Sequence, residues 1–311
     1  MAAVAIVIPT YNNLPELRRC LQALGQQTFK DFMAYVCVDG STDGTLAYLS
    51  THAPAFVRVL THPDGRNHGR NAARNLILPH LHQHRWLATL DSDSVPLPTW
   101  MESFLAASPT EKEILLGQML YFSEDNPNPW QLYLAWREKK RAKGPVGFQH
   151  FSTGNTLIPA QAFVAMGGMD PQIRRHGLGD VELGWRLAEA GYTFRYVAEA
   201  RVWSAVQPTP VQALVRAYEM GRHNLPYLHR KHPGTQGVLF GGKWLTHRGR
   251  RLLLWPFIQP AWARLTLRLL PRLSPWGRKR AMRYLLFYAV ARGYWGRRLG
   301  LPLPERLSPR P

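Results

Sequence analysis

The chain of 311 residues holds only two cysteines, Cys20 and Cys37. No disulfide framework or cysteine–histidine zinc spacing can be built from them. Both fall in apolar-periodic stretches, as buried free thiols do. No apolar run approaches the roughly 18 residues needed to span a bilayer. The start lacks a basic region ahead of its apolar run, which ends at Pro9, so it reads as a strand and not as a signal peptide. A cytoplasmic chain is expected, peripheral on the cytoplasmic face of the membrane if it meets one. There is no Gly-x-Gly-x-x-Gly fingerprint and no Walker-type loop, which counts against dinucleotide and P-loop binding.

Acidic residues are scarce at one end. Met1 to Trp130 carries 9 Lys/Arg against 12 Asp/Glu, Gln131 to Gly242 carries 14 against 7, and Lys243 to Pro311 carries 16 against 1. The net charge of +19 is therefore a C-terminal property. It calls for an anionic partner of that segment, a membrane surface or a nucleic acid.

What is present in the first half is a rhythm. Apolar runs at Ala3–Ile8, Phe32–Val38, Phe56–Leu60 and Arg85–Leu90 read as strands. Leu14–Gln26, Thr45–Ser50 and Asn67–Leu81 read as helices between them. This alternation indicates βαβ units and a mostly parallel sheet. Each strand feeds a polar loop: Pro9-Thr10-Tyr11-Asn12, Asp39-Gly40-Ser41 and Asp91-Ser92-Asp93. In open α/β sheets that edge is where ligands bind. Two carboxylates as close as Asp91 and Asp93 repel unless a cation or donor lies between them. A divalent-metal site and a plain polar turn are both open on Asp-Ser-Asp alone.

Four motifs in order, Val7–Asn12, Val38–Thr45, Gly69–Asn75 and Leu90–Asp93, resemble the family 2 glycosyltransferases of GT-A fold. The likeness continues through Thr153–Thr156, Met166–Asp170 and Gly179–Arg186 and fades after about residue 205. It implies a Rossmann-like α/β catalytic domain over 1–205, followed by a helical, basic, amphipathic region over 206–311. It implies inverting transfer from a nucleotide-diphosphate sugar, with UDP the expected carrier, to a hydroxyl of a glycan or lipid-linked acceptor. Pro9, Thr10, Tyr11, Asn12, Asp39, Arg74, Asp91, Ser92, Gly154 and Asn155 would hold the donor. Tyr11 would stack on the base and Asp39 would accept its N–H. Asp93, with Asp91, would ligate Mg2+ or Mn2+. Asp180 would be the general base for the acceptor hydroxyl.

Two departures stand out. The family usually has Glu-Asp where this chain has Gly179-Asp180, and Glu182 is a weak substitute. Many relatives place a metal-binding His near Val202–Ser204, and here there is none.

Further on, Ile114–Phe122 reads as a strand, Trp130–Lys143 and Val211–Lys231 as helices with basic ends, and Gly144–Ser152 as a loop. Gln212–Arg216 does not match the Gln-x-x-Arg-Trp signature of processive synthases. From Leu252 on, aromatics and aliphatics alternate with arginines, and Pro256, Pro260, Pro271 and Pro275 cut the segment into short pieces. An anionic membrane surface suits it, and packing on the catalytic domain is the alternative. A basic nucleic-acid-binding protein and a nucleotidyltransferase are the competing functional classes; with a net acidic N-terminal module, no nucleic-acid partner is expected.

Overall fold

The computed structural model describes residues 2–121, 127–141, 146–204, 208–237, 239, 245–246 and 253–300. Phe122, most of the polar loop after it, Lys143, the start of the Gly144–Ser152 loop, the expected boundary at 205–206 and Leu252 lie outside them. Two compact units emerge. The first comprises 1–122, 137–174 and 179–207; the second comprises 123–136, 175–178 and 208–311.

The first unit is built on an eight-stranded sheet. Its strands are β1 (Val4–Thr10), β2 (Phe32–Val38), β3 (Val57–Thr61), β4 (Trp86–Leu90), β5 (Ser94–Pro96), β6 (Glu113–Leu120), β7 (Asn155–Pro159) and β8 (Thr193–Ser204), in the order β3-β2-β1-β4-β7-β6-β8-β5. The β3-β2-β1-β4 half is parallel, and β7 runs antiparallel to both β4 and β6.

Every residue of β1 is buried, as befits a strand covered on both faces. Its side chains alternate between two cores. Val4, Ile6 and Ile8 join Ala34, Val36, Ala88 and Leu90 on one face, while Ala5 and Val7 join Tyr35, Cys37 and Leu87 on the other. The first face is covered by α1 (Leu14–Gly25), through Leu17, Leu21 and Leu24, and by α4 (Trp100–Ala106), through Trp100 and Phe104. The second is covered by Ala73 of α3 (Arg70–Asn75), Phe163 of α6 (Ala160–Ala165), and Leu183 and Leu187 of α7 (Gly179–Glu189). Truncating a buried branched residue such as Ile6 to Ala costs about 2–5 kcal/mol. Helix α2 (Thr45–His52) follows β2, and α5 (Pro129–Arg141) follows β6.

The helix expected over Asn67–Leu81 is shorter and broken. Asn67 to Gly69 form a loop, α3 ends at Asn75, and a 3-10 turn runs Leu78–Gln83. Pro79 explains the break, because proline disfavours helical backbone in the residue before it and supplies no N–H.

The second unit is helical: α8 (Pro210–Glu219), a π turn at Met220–Asn224, α9 (Leu225–Lys231), α10 (Pro260–Leu269) and α11 (Pro275–Tyr294). Thr209 and Gln212 form a capping box at the start of α8. A Cβ at Gly221 would lie 2.3 Å from the Val290 carbonyl oxygen, and one at Gly293 would lie 2.1 Å from that of Tyr218. Glycine is needed at both places because the backbones meet there. The prolines divide this segment as the sequence suggests, into Pro256–Ile258, α10, Leu270–Arg272 and α11. Each sits in the first turn of its piece, where the missing N–H costs nothing, and only α11, at 20 residues, is long.

Candidate functional site

The parallel strands β1, β2 and β4 end at Thr10, Val38 and Leu90, and Leu90 pairs with Asn155 at the start of antiparallel β7. The loops at 11–13, 39–44, 91–93 and 152–154 therefore share one edge. They are tied to each other. The Thr10 hydroxyl donates to Asn13 Oδ1 at 2.5 Å, and Asn13 Nδ2 donates to Ser92 Oγ at 2.8 Å. Asn12 accepts from the Thr42 N–H at 2.7 Å through Oδ1 and donates its own N–H to Ser41 Oγ. Its φ of 47° is a conformation that asparagine tolerates. Asp43 accepts from the Leu14 N–H and from Thr45. Thr10, Asn12 and Ser92 thus have a first role in fixing the loops.

At this edge lies a cavity of about 320 Å³, lined by Pro9, Thr10, Tyr11, Asp39, Asn67, Gly69, Arg70 and Arg174. Tyr11 is 52% exposed, so its ring is available to a planar ligand. Asp39 is buried and accepts the main-chain N–H groups of His68 (2.7 Å) and Gly69 (2.9 Å). His62 Nε2 lies 3.2 Å from Asp39 Oδ1, off the hydrogen-bond direction. The carboxylate therefore shapes the cavity wall and keeps lone pairs for a further donor. Gly40 makes the wall possible. Its φ is +69°, and a Cβ would fall 2.6 Å from the Asn67 nitrogen.

Arg74, expected beside the nucleotide, is instead 1% exposed and makes an ion pair with Asp91. It orients one carboxylate of the Asp-Ser-Asp turn. Gly154 leaves room on the other side: a Cβ there would sit 3.0 Å from Asp91 Oδ2. Asn155 departs from its expected role. Its side chain is buried, accepts from Trp100 Nε1 at 2.7 Å, and donates to the carbonyls of Gln118 and Ala200. It joins β7 to β6, β8 and α4 and faces the core, because the period-two register that points Gly154 at the edge turns Asn155 inward.

The turn's chemistry fits a hard divalent cation. It offers carboxylate oxygens, which Mg2+ and Mn2+ take together with phosphate oxygens and waters. Burial pushes the Cys20 thiol well up, and the Asp93 and Asp91 carboxylates push it further. Among the described residues, no group of three or more His, Cys, Asp or Glu side chains gathers to hold a metal alone.

Asp180 lies in the first turn of α7, where the helix dipole favours its charge. Thr153 donates to Asp180 Oδ1 at 2.6 Å. Consecutive residues, Thr153 and Gly154, thus touch Asp180 and Asp91, which sets both carboxylates at the same edge. The glycine at 179 has a local cause: a Cβ there would meet Asn71 at 2.6 Å. Asn71 Nδ2 in turn holds the carbonyls of Asp170 and Ile173. Leu178, just before, has a φ of 69°, a strained conformation for a branched side chain. Glu182 is fully buried and paired with Arg186 at 2.7 Å, and Arg186 also holds the carbonyls of Met166 and Gly168. It therefore braces the helix and does not replace the missing acid.

Sequence reasoning passed over Arg70 and Arg174 at the cavity, and Asn13, Asn71 and Thr153 as ties. The Asn67–Gly69 loop, which leads into Arg70 at the start of α3, was the available signal for the first of these.

A sequence model described as "Glycosyl transferase family 2" matches residues 5–166. The chain belongs to this family. Among relatives of this glycosyltransferase family member, validoxylamine A glucosyltransferase of Streptomyces hygroscopicus subsp. jinggangensis is 27% identical over 277 residues, covering 79% of this chain and 64% of that one. The pre-mycofactocin glycosyltransferase of Mycobacterium tuberculosis is 30% identical over 203 residues, covering 62% and 40%. The chain thus spans less than two thirds of either relative's length. The fold is similar to that of the mannosyltransferase PcManGT of Pyrobaculum calidifontis, solved with GDP-Man and Mn2+. The TM-score is 0.61 at 16% identity, covering 95% of this chain and 88% of that one. TarS of S. aureus, solved as residues 1–349 with UDP-GlcNAc, gives a TM-score of 0.50 at 16% identity, covering 94% and 92%. The α/β architecture is that of the GT-A glycosyltransferases, and the nucleotidyltransferase alternative is set aside.

Proposed function

We propose that this family 2 glycosyltransferase moves a sugar, with inversion, from a nucleoside-diphosphate sugar to a hydroxyl of a glycan or lipid-linked acceptor. The observation that carries this reading is the shared edge. It sets a cavity with an exposed tyrosine beside a buried aspartate, then the Asp91–Asp93 turn, then Asp180. Tyr11 stacks on the base. Asp39 accepts a base N–H, which suits uracil. Asp91 and Asp93 would hold Mg2+ or Mn2+ against the diphosphate. That ion, when bound, neutralises charge growing on the leaving group. The solved neighbours that carry UDP-GlcNAc, or GDP-Man with Mn2+, support the donor class.

Asp180 takes the proton of the acceptor hydroxyl as its oxygen attacks the anomeric carbon. The bond from that carbon to the diphosphate oxygen breaks, and the electron pair leaves with the nucleoside diphosphate. Thr153 keeps one carboxylate oxygen occupied and so leaves the other for the acceptor. The C-terminal region, with its positive charge, suits an anionic membrane surface, and the place of action is the cytoplasmic face of the membrane. Among the described residues, no helix is long and apolar enough to cross a membrane.

Asp180→Asn tests the assignment. Donor binding is expected to stay within twofold while transfer falls by about 10²–10⁴-fold, the usual worth of a general base. Loss of donor binding with full transfer per bound donor would remove Asp180 from this role.

A further inference from the structure

Helix α10 has two unlike sides. Ala263 is buried, while Trp262, Leu265 and Leu269 are 56%, 45% and 42% exposed. Spacings of three and four residues stack these three on one face. Arg264 and Arg268 are exposed too, and at about 100° per residue they form a row directly beside that stripe. Phe257, in the turn before the helix, is 62% exposed. The sequence of α10 holds no acidic residue. Helix α11 differs from it: Trp276 in its first turn is 62% exposed, but Met282, Leu285 and Tyr288 further along are buried.

We infer that the Trp262–Leu265–Leu269 stripe of α10, with Arg264 and Arg268 at its side, is the element that seats this chain on an anionic phospholipid surface. An exposed aromatic-aliphatic stripe marks an interaction site. The arginine row beside it selects the partner, since guanidinium groups meet lipid phosphates while the stripe enters the headgroup–acyl boundary. A second copy fits less well, because an isologous contact sets the same patch against itself and α10 has no acidic residue to meet the arginines. The inference rests on the membrane reading of the C-terminal region and narrows it to one face of one helix; it is independent of the donor-site reading.

The test is flotation of the full chain with vesicles of phosphatidylcholine alone and of equimolar phosphatidylcholine and phosphatidylglycerol. Wild type is expected to float with the anionic vesicles and to be released by salt. The combined Trp262→Ala, Leu265→Ser and Leu269→Ser variant is expected to lose binding by at least about tenfold, and so is Arg264→Gln with Arg268→Gln. UDP binding in the presence of Mn2+ should be unchanged in both. That readout separates loss of the surface from loss of the fold, and lets the donor site fail on its own. Three results would overturn the inference. One is wild type that ignores anionic vesicles, and another is stripe variants that float like wild type. The third is a wild-type dimer that the stripe substitutions convert to monomer.

Discussion

At the strand-end edge of the first unit, polar side chains are held by neighbouring loops: Thr10 by Asn13, Asn13 by Ser92, Asn12 by Thr42, Asp91 by Arg74 and Asp180 by Thr153. On the outer face of α10, by contrast, large apolar and cationic side chains stand exposed. The difference follows from what each must recognise. A donor with one reacting bond needs groups fixed to within fractions of an ångström. A lipid surface is laterally fluid and needs only area and charge. Substitutions at the edge should therefore be costly one at a time, and substitutions on α10 should act only as a group.

The largest effect of breaking a tie is expected at Arg74. Arg74→Met leaves Asp91 without its buried partner and should lower stability by about 2–3 kcal/mol. That is less than for a fully enclosed pair, because Asp91 is 40% exposed. Thermal melting would show it, and a shift no larger than that of an exposed arginine would mean the pair is not a strut. Thr153→Val comes next. Losing a hydrogen bond to a charged group should cut kcat by about tenfold or more with donor binding unchanged, and Thr153→Ser should restore it. Equal losses in Val and Ser variants would point to packing instead.

The smallest effect concerns pH. Partial burial pushes the Asp43 carboxyl up, but hydrogen bonds from the Thr45 hydroxyl and from the Leu14 and Thr45 N–H groups outweigh this and hold it below its usual value. A depressed folded value adds stability above the unfolded pKa of about 3.9, and that contribution is lost as pH falls through the folded value. The stability gap between wild type and Asp43→Asn should accordingly be full at neutral pH and close in acid. A gap that is constant with pH would show that the charge is not what matters.

Much of the scaffold was readable from residues alone. Phe32–Val38 is a strand with the expected bounds, because a run of apolar and β-branched residues stops at an Asp-Gly turn. The edge was readable for the same reason, since each buried strand must end where its polar loop begins. What was not readable is which partner each polar side chain takes. Arg74 and Asn155 are types that fit a ligand site, yet one is a buried strut and the other a core hub. Their partners, Asp91, Trp100, Gln118 and Ala200, lie 17 to 55 residues away, beyond any local pattern. The prolines of the C-terminal segment were legible, because each opens a new helical piece in its first turn.

The central claim is that the Asp91–Asp93 turn anchors a divalent ion and a nucleoside diphosphate at this edge. Calorimetric titration of UDP and GDP into wild type and Asp93→Ala, with and without Mn2+, tests it most directly. The account predicts that wild type binds UDP more tightly with Mn2+ than without, and that Asp93→Ala removes the Mn2+ enhancement while its fold is retained. Absence of nucleoside diphosphate binding, or a Mn2+ enhancement that survives in Asp93→Ala, would contradict it.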